Sequence, residues 1–148
     1  MTRIKEFRDG LTQEIIDEKF PWINEADIED AIIGIKNNKI VWYDGIWDYG
    51  IWEDGWWEKG TWEYGWWENG TWEKGTWEDG RWYGGTWKNG TWEKGTWEDG
   101  TWKNGTWKNG EWKNGEWENG IWKNGEWKDG VWEVGVWKNG YWNFNDNP

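Results

Sequence analysis

From Trp42 to Trp142 a tryptophan occupies every fifth position without a miss, 21 times in all. From Gly45 to Gly140 a glycine does the same, 20 times. The repeating unit is Gly-x-Trp-x-x, as in Gly70-Thr71-Trp72-Glu73-Lys74. A fixed period of this kind marks a repeat architecture and has to be read before anything else. A helix is excluded: 3.6 residues per turn would scatter the indoles around its surface, and each interior glycine would cost about 1 kcal/mol. Disorder is excluded by the large aromatic side chain in every unit, since disordered chains are poor in such residues.

Asn or Asp precedes the glycine in 13 of 20 units, and Asn-Gly and Asp-Gly are strong hairpin signals. An antiparallel meander would then have three-residue strands between two-residue turns. Strand groups alternate in direction, so the two ends of a three-residue strand point their N–H and C=O groups to the same side. A middle strand must close its two turns on opposite sides, which needs an even length. A solenoid, in which units follow one another around a coil and coils stack at about 4.8 Å, escapes this parity problem. A single-layer or curled antiparallel meander stands as the alternative.

Units such as Gly95-Thr96-Trp97-Glu98-Asp99 resemble the pentapeptide-repeat family over residues 41–142. That family places a small and a large apolar residue, two positions apart, inside a right-handed four-sided β-helix with one unit per side. Here these residues are Gly and Trp, where the family's central residue is usually Leu or Phe. The resemblance implies about five coils of four pentapeptides, with Trp62, Trp72, Trp77, Trp87, Trp92 and Trp97 among the core residues. Gly-Thr-Trp arrays also resemble uncharacterised proteins of phages and environmental microbes. A local likeness of residues 115–120 to the MORN repeat hairpin is discounted because that repeat has a much longer period. Two features run against the solenoid: the indole N–H groups need partners, and four units per coil would stack Glu58, Glu78, Glu98 and Glu118 into a like-charge ladder.

The 148 residues suit one domain, and residues 1–40 do not repeat. Thr12 is placed to cap a short helix through Lys19, ended by Pro21. Asn24 is placed to start a second helix running to Ile33 and closed by Gly34. A solenoid needs its first coil covered. Residues 1–40 therefore read as a helical N-terminal cap, residues 41–142 as the repeat domain, and residues 143–148 as a C-terminal tail, with Tyr141 and Phe144 in the closing segment.

The chain contains no Cys, His or Ser, which removes disulfides, thiolate metal sites and the common nucleophile–base arrangements. Carboxylates remain, but they repeat so regularly that none stands out, and they read as a solvated face. No catalytic residue, metal site or cofactor is assigned, and the chain reads as non-enzymatic. The net charge of −12 opposes direct binding to nucleic acids or anionic membranes. The N-terminus lacks an apolar leader, and no run approaches the ~18 apolar residues of a membrane span. A cytoplasmic location follows, or a virion if the source is a phage.

Residues that break the pattern are the candidate sites. At four units per coil, Tyr43, Tyr64 and Tyr83 share one side, with Trp66 round the corner. Together with Trp56 they form an exposed aromatic edge within residues 41–85, which carry a net charge of −7. Such a surface suits a protein partner. The family resemblance, with its tendency to pair through solenoid ends, implies that the apolar residues Ile121, Val131, Val136 and Tyr141 suit contact with a second copy. Sugar binding by exposed Trp and Tyr is the second reading. The third is mimicry of DNA, which the family resemblance brings in because some acidic members act so. Mimicry needs an acidic stripe along the axis, whereas four units per coil spread Asp48, Glu53, Glu58, Glu63, Glu68, Glu73 and Glu78 around it as a belt.

Overall fold

The computed structural model describes residues 2–142. Each pentapeptide contributes a two-residue strand consisting of Trp and the residue before it, such as Thr86–Trp87. That strand pairs in parallel with Thr71–Trp72 below and Thr101–Trp102 above. Partners are 15 residues apart, so one coil contains three units. One side of the prism is a run of seven strands, from Ile51–Trp52 to Tyr141–Trp142. The chain is a parallel β-solenoid of three sides and seven coils, in place of the expected four sides and five coils; the meander is excluded.

The indoles decide the number of sides. Every ladder Trp from Trp42 to Trp127 is fully buried. Along a side the rings stack almost parallel, as for Trp72 on Trp87 (4.8 Å, 6°) and Trp77 on Trp92 (4.7 Å, 5°). Around a coil they meet edge to face, as for Trp82 with Trp87 (5.9 Å, 72°) and Trp87 with Trp92 (5.9 Å, 71°). Both geometries are favoured for aromatic pairs. Three indoles close a triangle around the axis. A fourth side would part facing rings and leave a void, which close-packed interiors do not tolerate.

The backbone ladder repeats at each unit. The Thr86 N–H donates to the Gly70 carbonyl at 2.9 Å, and the Lys88 N–H donates to the Trp72 carbonyl at 2.7 Å. Glycine forms each corner. Gly85 has φ +100°, and a Cβ there would lie 2.2 Å from the Gly70 carbonyl oxygen. The frequent Asn or Asp before it satisfies the corner amide: the Gly90 N–H donates to Asn89 Oδ1 at 2.9 Å, and Gly100 to Asp99 Oδ1 at 2.8 Å. Some indole N–H groups also end at a corner. Trp87, Trp102 and Trp117 donate to the carbonyls of Asn104, Asn119 and Val134, each at 3.1 Å. Trp82, Trp97 and Trp122 hold their Nε1 atoms beside Gly100, Gly115 and Gly140 without forming a bond. Sixteen buried indole Nε1 atoms have no partner, so the columns retain most of the polar cost foreseen from the sequence.

The N-terminal segment contains a strand β1 (Ile4–Arg8), helices α1 (Gln13–Lys19) and α2 (Pro21–Glu25), and strands β2 (Asp27–Lys36) and β3 (Lys39–Tyr49). Thr12 caps α1, its hydroxyl accepting from the Ile15 N–H at 3.2 Å. The second helix expected over Asn24–Ile33 is instead the end of α2 followed by most of β2. The run Ile28, Ile32, Ile33, Ile35 is β-branched and suits a strand. Asn37 and Asn38, with φ +51° and +62°, then form the two-residue turn into β3, with Lys36 opposite Lys39. Positive φ at both central positions is the type I′ hairpin requirement. β1 pairs in parallel with β2, and β3 forms the first two sides of the first coil. Leu11, Ile16, Phe20, Ile23, Ile28 and Ile33 are buried in one cluster with the first indoles. Trp22 closes the open end, its ring 5.2 Å from Trp52 and at 70° to it. No helix among the described residues is long and apolar enough to cross a membrane. Phe144 and the expected tail, residues 143–148, lie outside the described residues.

Adjacent glycines test the corner. Gly85→Ala is expected to lower the unfolding free energy by at least ~2 kcal/mol, because it adds both strain and a backbone clash. At Gly84 a Cβ would sit at an ordinary 3.5 Å from the Glu68 carbonyl. Gly84→Ala is therefore expected to change stability little in the same denaturant titration.

Candidate functional site

With three units per coil the expected aromatic edge divides. Tyr43 lies on a different edge from Tyr64 and Tyr83 and serves the cap. Its hydroxyl donates to Asp9 Oδ2 at 2.6 Å, and the Arg8 guanidinium lies 4.9 Å from its ring centre. Trp56 is exposed on a second side, between Val41 and Thr71 of neighbouring coils. Trp66 and Tyr83 do come together on the third side, and Tyr64 lies at its leading corner. Tyr49, which the four-unit register did not single out, joins them by stacking on Tyr64 (5.7 Å, 11°). Trp66 meets Tyr83 edge to face at 6.2 Å. Reading the columns at 15 residues would have paired Tyr49 with Tyr64 directly.

Between these rings and the cap lies a groove of about 290 Å³. Trp22 and Glu25 of α2 form one wall; Tyr49, Ile51, Glu53 and Trp66 form the other. The core residues Trp62, Trp72, Trp77, Trp87, Trp92 and Trp97 are fully buried and cannot touch a ligand without unfolding.

The coil length also rearranges charge. Residues after Trp stack in columns, so Asp48, Glu63, Glu78 and Glu93 form a stripe up one edge until Lys108, while Glu53 with Glu68 and Glu58 with Glu73 on the other two edges keep the lower coils acidic all round. The 15-residue register breaks the 20-residue ladder but still stacks like charges, as at Glu58 with Glu73 and Glu118 with Glu133; elsewhere it forms ion pairs between coils. Lys88 lies 3.0 Å from Glu73, Lys108 3.2 Å from Glu93, and Lys113 3.6 Å from Glu98. Exposed pairs of this kind contribute at most about 1 kcal/mol each.

Two carboxylate trios remain: Glu29, Asp48 and Glu63, and Glu116, Glu118 and Glu133. Oxygen sets of this kind suit hard cations, but no other feature among the described residues points to one. The Glu29 pKa is raised, first by its hydrogen bond to Asp48. The Asp48 pKa is raised by burial and by the Glu63 carboxyl. At the other trio, burial followed by Glu133 and Glu118 raises Glu116.

Towards the C-terminal end, Val131, Val134, Val136 and Tyr141 are more than half exposed, and Trp132, Trp137 and Trp142 are only partly buried. Comparison with models of known protein families, with curated proteins and with solved structures finds no match.

A carboxyl whose pKa is raised by folding favours the protonated form. Its stability contribution is fully present below the ordinary carboxylate pKa of about 4 and is lost as the pH rises through the folded-state value. Asp48→Asn removes that loss at its centre. The variant should melt at a higher temperature than the wild type at pH 7, with the difference vanishing by about pH 3; thermal melts across this range check it.

Proposed function

We propose that the chain is a non-catalytic interaction module, a divergent member of the pentapeptide-repeat class, that uses the aromatic–acidic surface beside its cap. The exposed rings carry this reading. Trp66 is 44% exposed and Tyr49 is 56% exposed, although the fold needs neither position to be aromatic. Equivalent positions higher in the prism are Thr96 and Asn109. Large exposed rings clustered around a groove are the composition of a contact surface. Sugar binding draws on the same rings. Mimicry of DNA gains from the acidic stripe but loses from its length, because Lys108, Lys123 and Lys138 continue the same column.

Affinity capture with the full chain tests this reading, alongside Trp66→Ala and the remote Thr91→Ala. A partner held by the wild type and by Thr91→Ala but lost from a folded Trp66→Ala supports the surface. Equal capture by all three overturns it, and glycan-array signals sensitive to Trp66 would favour sugar.

A second copy is the partner that suits the other end. In a strand, the N–H and C=O of one residue point to the same side. The Trp carbonyls point toward the C-terminal end, as the Trp122 carbonyl accepting from Lys138 shows. Trp132 and Trp137 thus offer both a donor and an acceptor there, with no coil above them among the described residues. Two such ends related by a two-fold axis bring antiparallel strands together, and an antiparallel pair exchanges both bonds at one residue. Light scattering should give a dimer mass for the wild type and a monomer mass for Val136→Lys combined with Tyr141→Lys; a monomeric wild type refutes the contact.

A further inference from the structure

We infer that the groove between α2 and the first coils binds a quaternary or methylated ammonium group. The inference rests on the interaction-surface reading and names the chemistry recognised there.

The lining side chains are of two kinds. Trp22, Tyr49, Ile51 and Trp66 supply apolar and aromatic walls; Glu25 and Glu53 supply negative charge. No lysine or arginine lines the groove. Aromatic faces carry the negative part of the ring quadrupole and attract cations, most strongly where water is excluded. Carboxylates at the rim add attraction of the same sign, and the net charge of −12 extends it.

The rings are held in place before any ligand arrives. Tyr49 is backed by Tyr64, Trp66 by Tyr83, and Trp22 by Trp52. Gly50 and Gly65 are also in the lining, and about 290 Å³ is open, ample for a trimethylammonium head. A primary ammonium is strongly hydrated and would lose that water against apolar walls. A methylated one is weakly hydrated and can exchange its water for ring faces. The chain makes the same type of contact internally, where Arg8 and Lys36 cover Tyr43, and there the cation is its own. In the groove the rings and carboxylates are present and the cation is not part of the lining.

The probe is choline, added to the full chain while the indole N–H signals are followed by two-dimensional NMR. Trp66→Phe and Trp22→Phe identify the two groove signals. Choline should shift both saturably. Its neutral carbon isostere, 3,3-dimethylbutan-1-ol, should bind about tenfold more weakly, as should choline to the Glu25→Gln, Glu53→Gln double variant. No shift with choline overturns the proposal. Equal binding of the isostere also overturns it and leaves a merely apolar groove; a glucose oligomer that shifts the same signals while choline does not assigns the groove to sugar. Trp66-dependent capture of a partner in the absence of choline binding would sink the ammonium assignment alone; loss of both would sink the surface as well.

Discussion

Stacking of indoles at the spacing of β-strands is the interaction on which the rest of this molecule depends. Parallel strands repeat at about 4.8 Å, and ring centres 4.8 Å apart, as in Trp72 and Trp87, satisfy an offset stack. One spacing therefore serves the backbone ladder and the core together. Within a coil, three indoles meeting edge to face set the cross-section. The cross-section sets the corner, and the corner approaches the coil below so closely that only glycine fits. The Gly and Trp ladders are two consequences of a single packing solution.

The repeat was legible because a period of five excludes helix and strains a meander. A solenoid with buried Trp was therefore readable from residues 42–142 alone. The number of sides was not, because the four-sided resemblance belongs to chains whose central residue is Leu or Phe. The charges do not decide it either: Glu73 with Lys88 and Glu98 with Lys113 are 15 apart and opposite in sign, but Glu68 with Lys88 and Glu93 with Lys113 are 20 apart and opposite, and Asp48, Glu63 and Glu78 are 15 apart and alike. The error over Asn24–Ile33 has a different cause. Capping residues suggested a helix, but Asn37-Asn38 between two Ile-rich runs was a hairpin signal that outweighed them. Tyr49 was missed because its partner Tyr64 is one coil away, a distance hidden until the coil length is known.

A regular prism is a poor place to find specificity, since each coil offers what the next one offers. Distinction arises where the repeat meets something else. At the lower end the cap brings Trp22 and Glu25 against Tyr49 and Trp66, and a groove forms that no pair of ordinary coils could make. At the upper end Val and Tyr replace Thr, and the strands have their bonding edges free among the described residues. The middle, with its Thr columns and ion pairs, serves as a spacer that holds these two surfaces at a fixed separation.

The indole columns have an optical consequence. Chromophores that lie nearly parallel and less than 5 Å apart do not absorb as independent groups; their transition dipoles couple and excitation passes from ring to ring. Trp42, Trp57, Trp72, Trp87, Trp102 and Trp117 form one such column, each ring within 7° of the next. The near-ultraviolet circular dichroism of this protein will carry the paired bands of a coupled array. Its emission will be strongly depolarised even when the molecule is immobilised, because excitation also crosses to the neighbouring columns, whose rings lie 5.9 Å away at 71–72°.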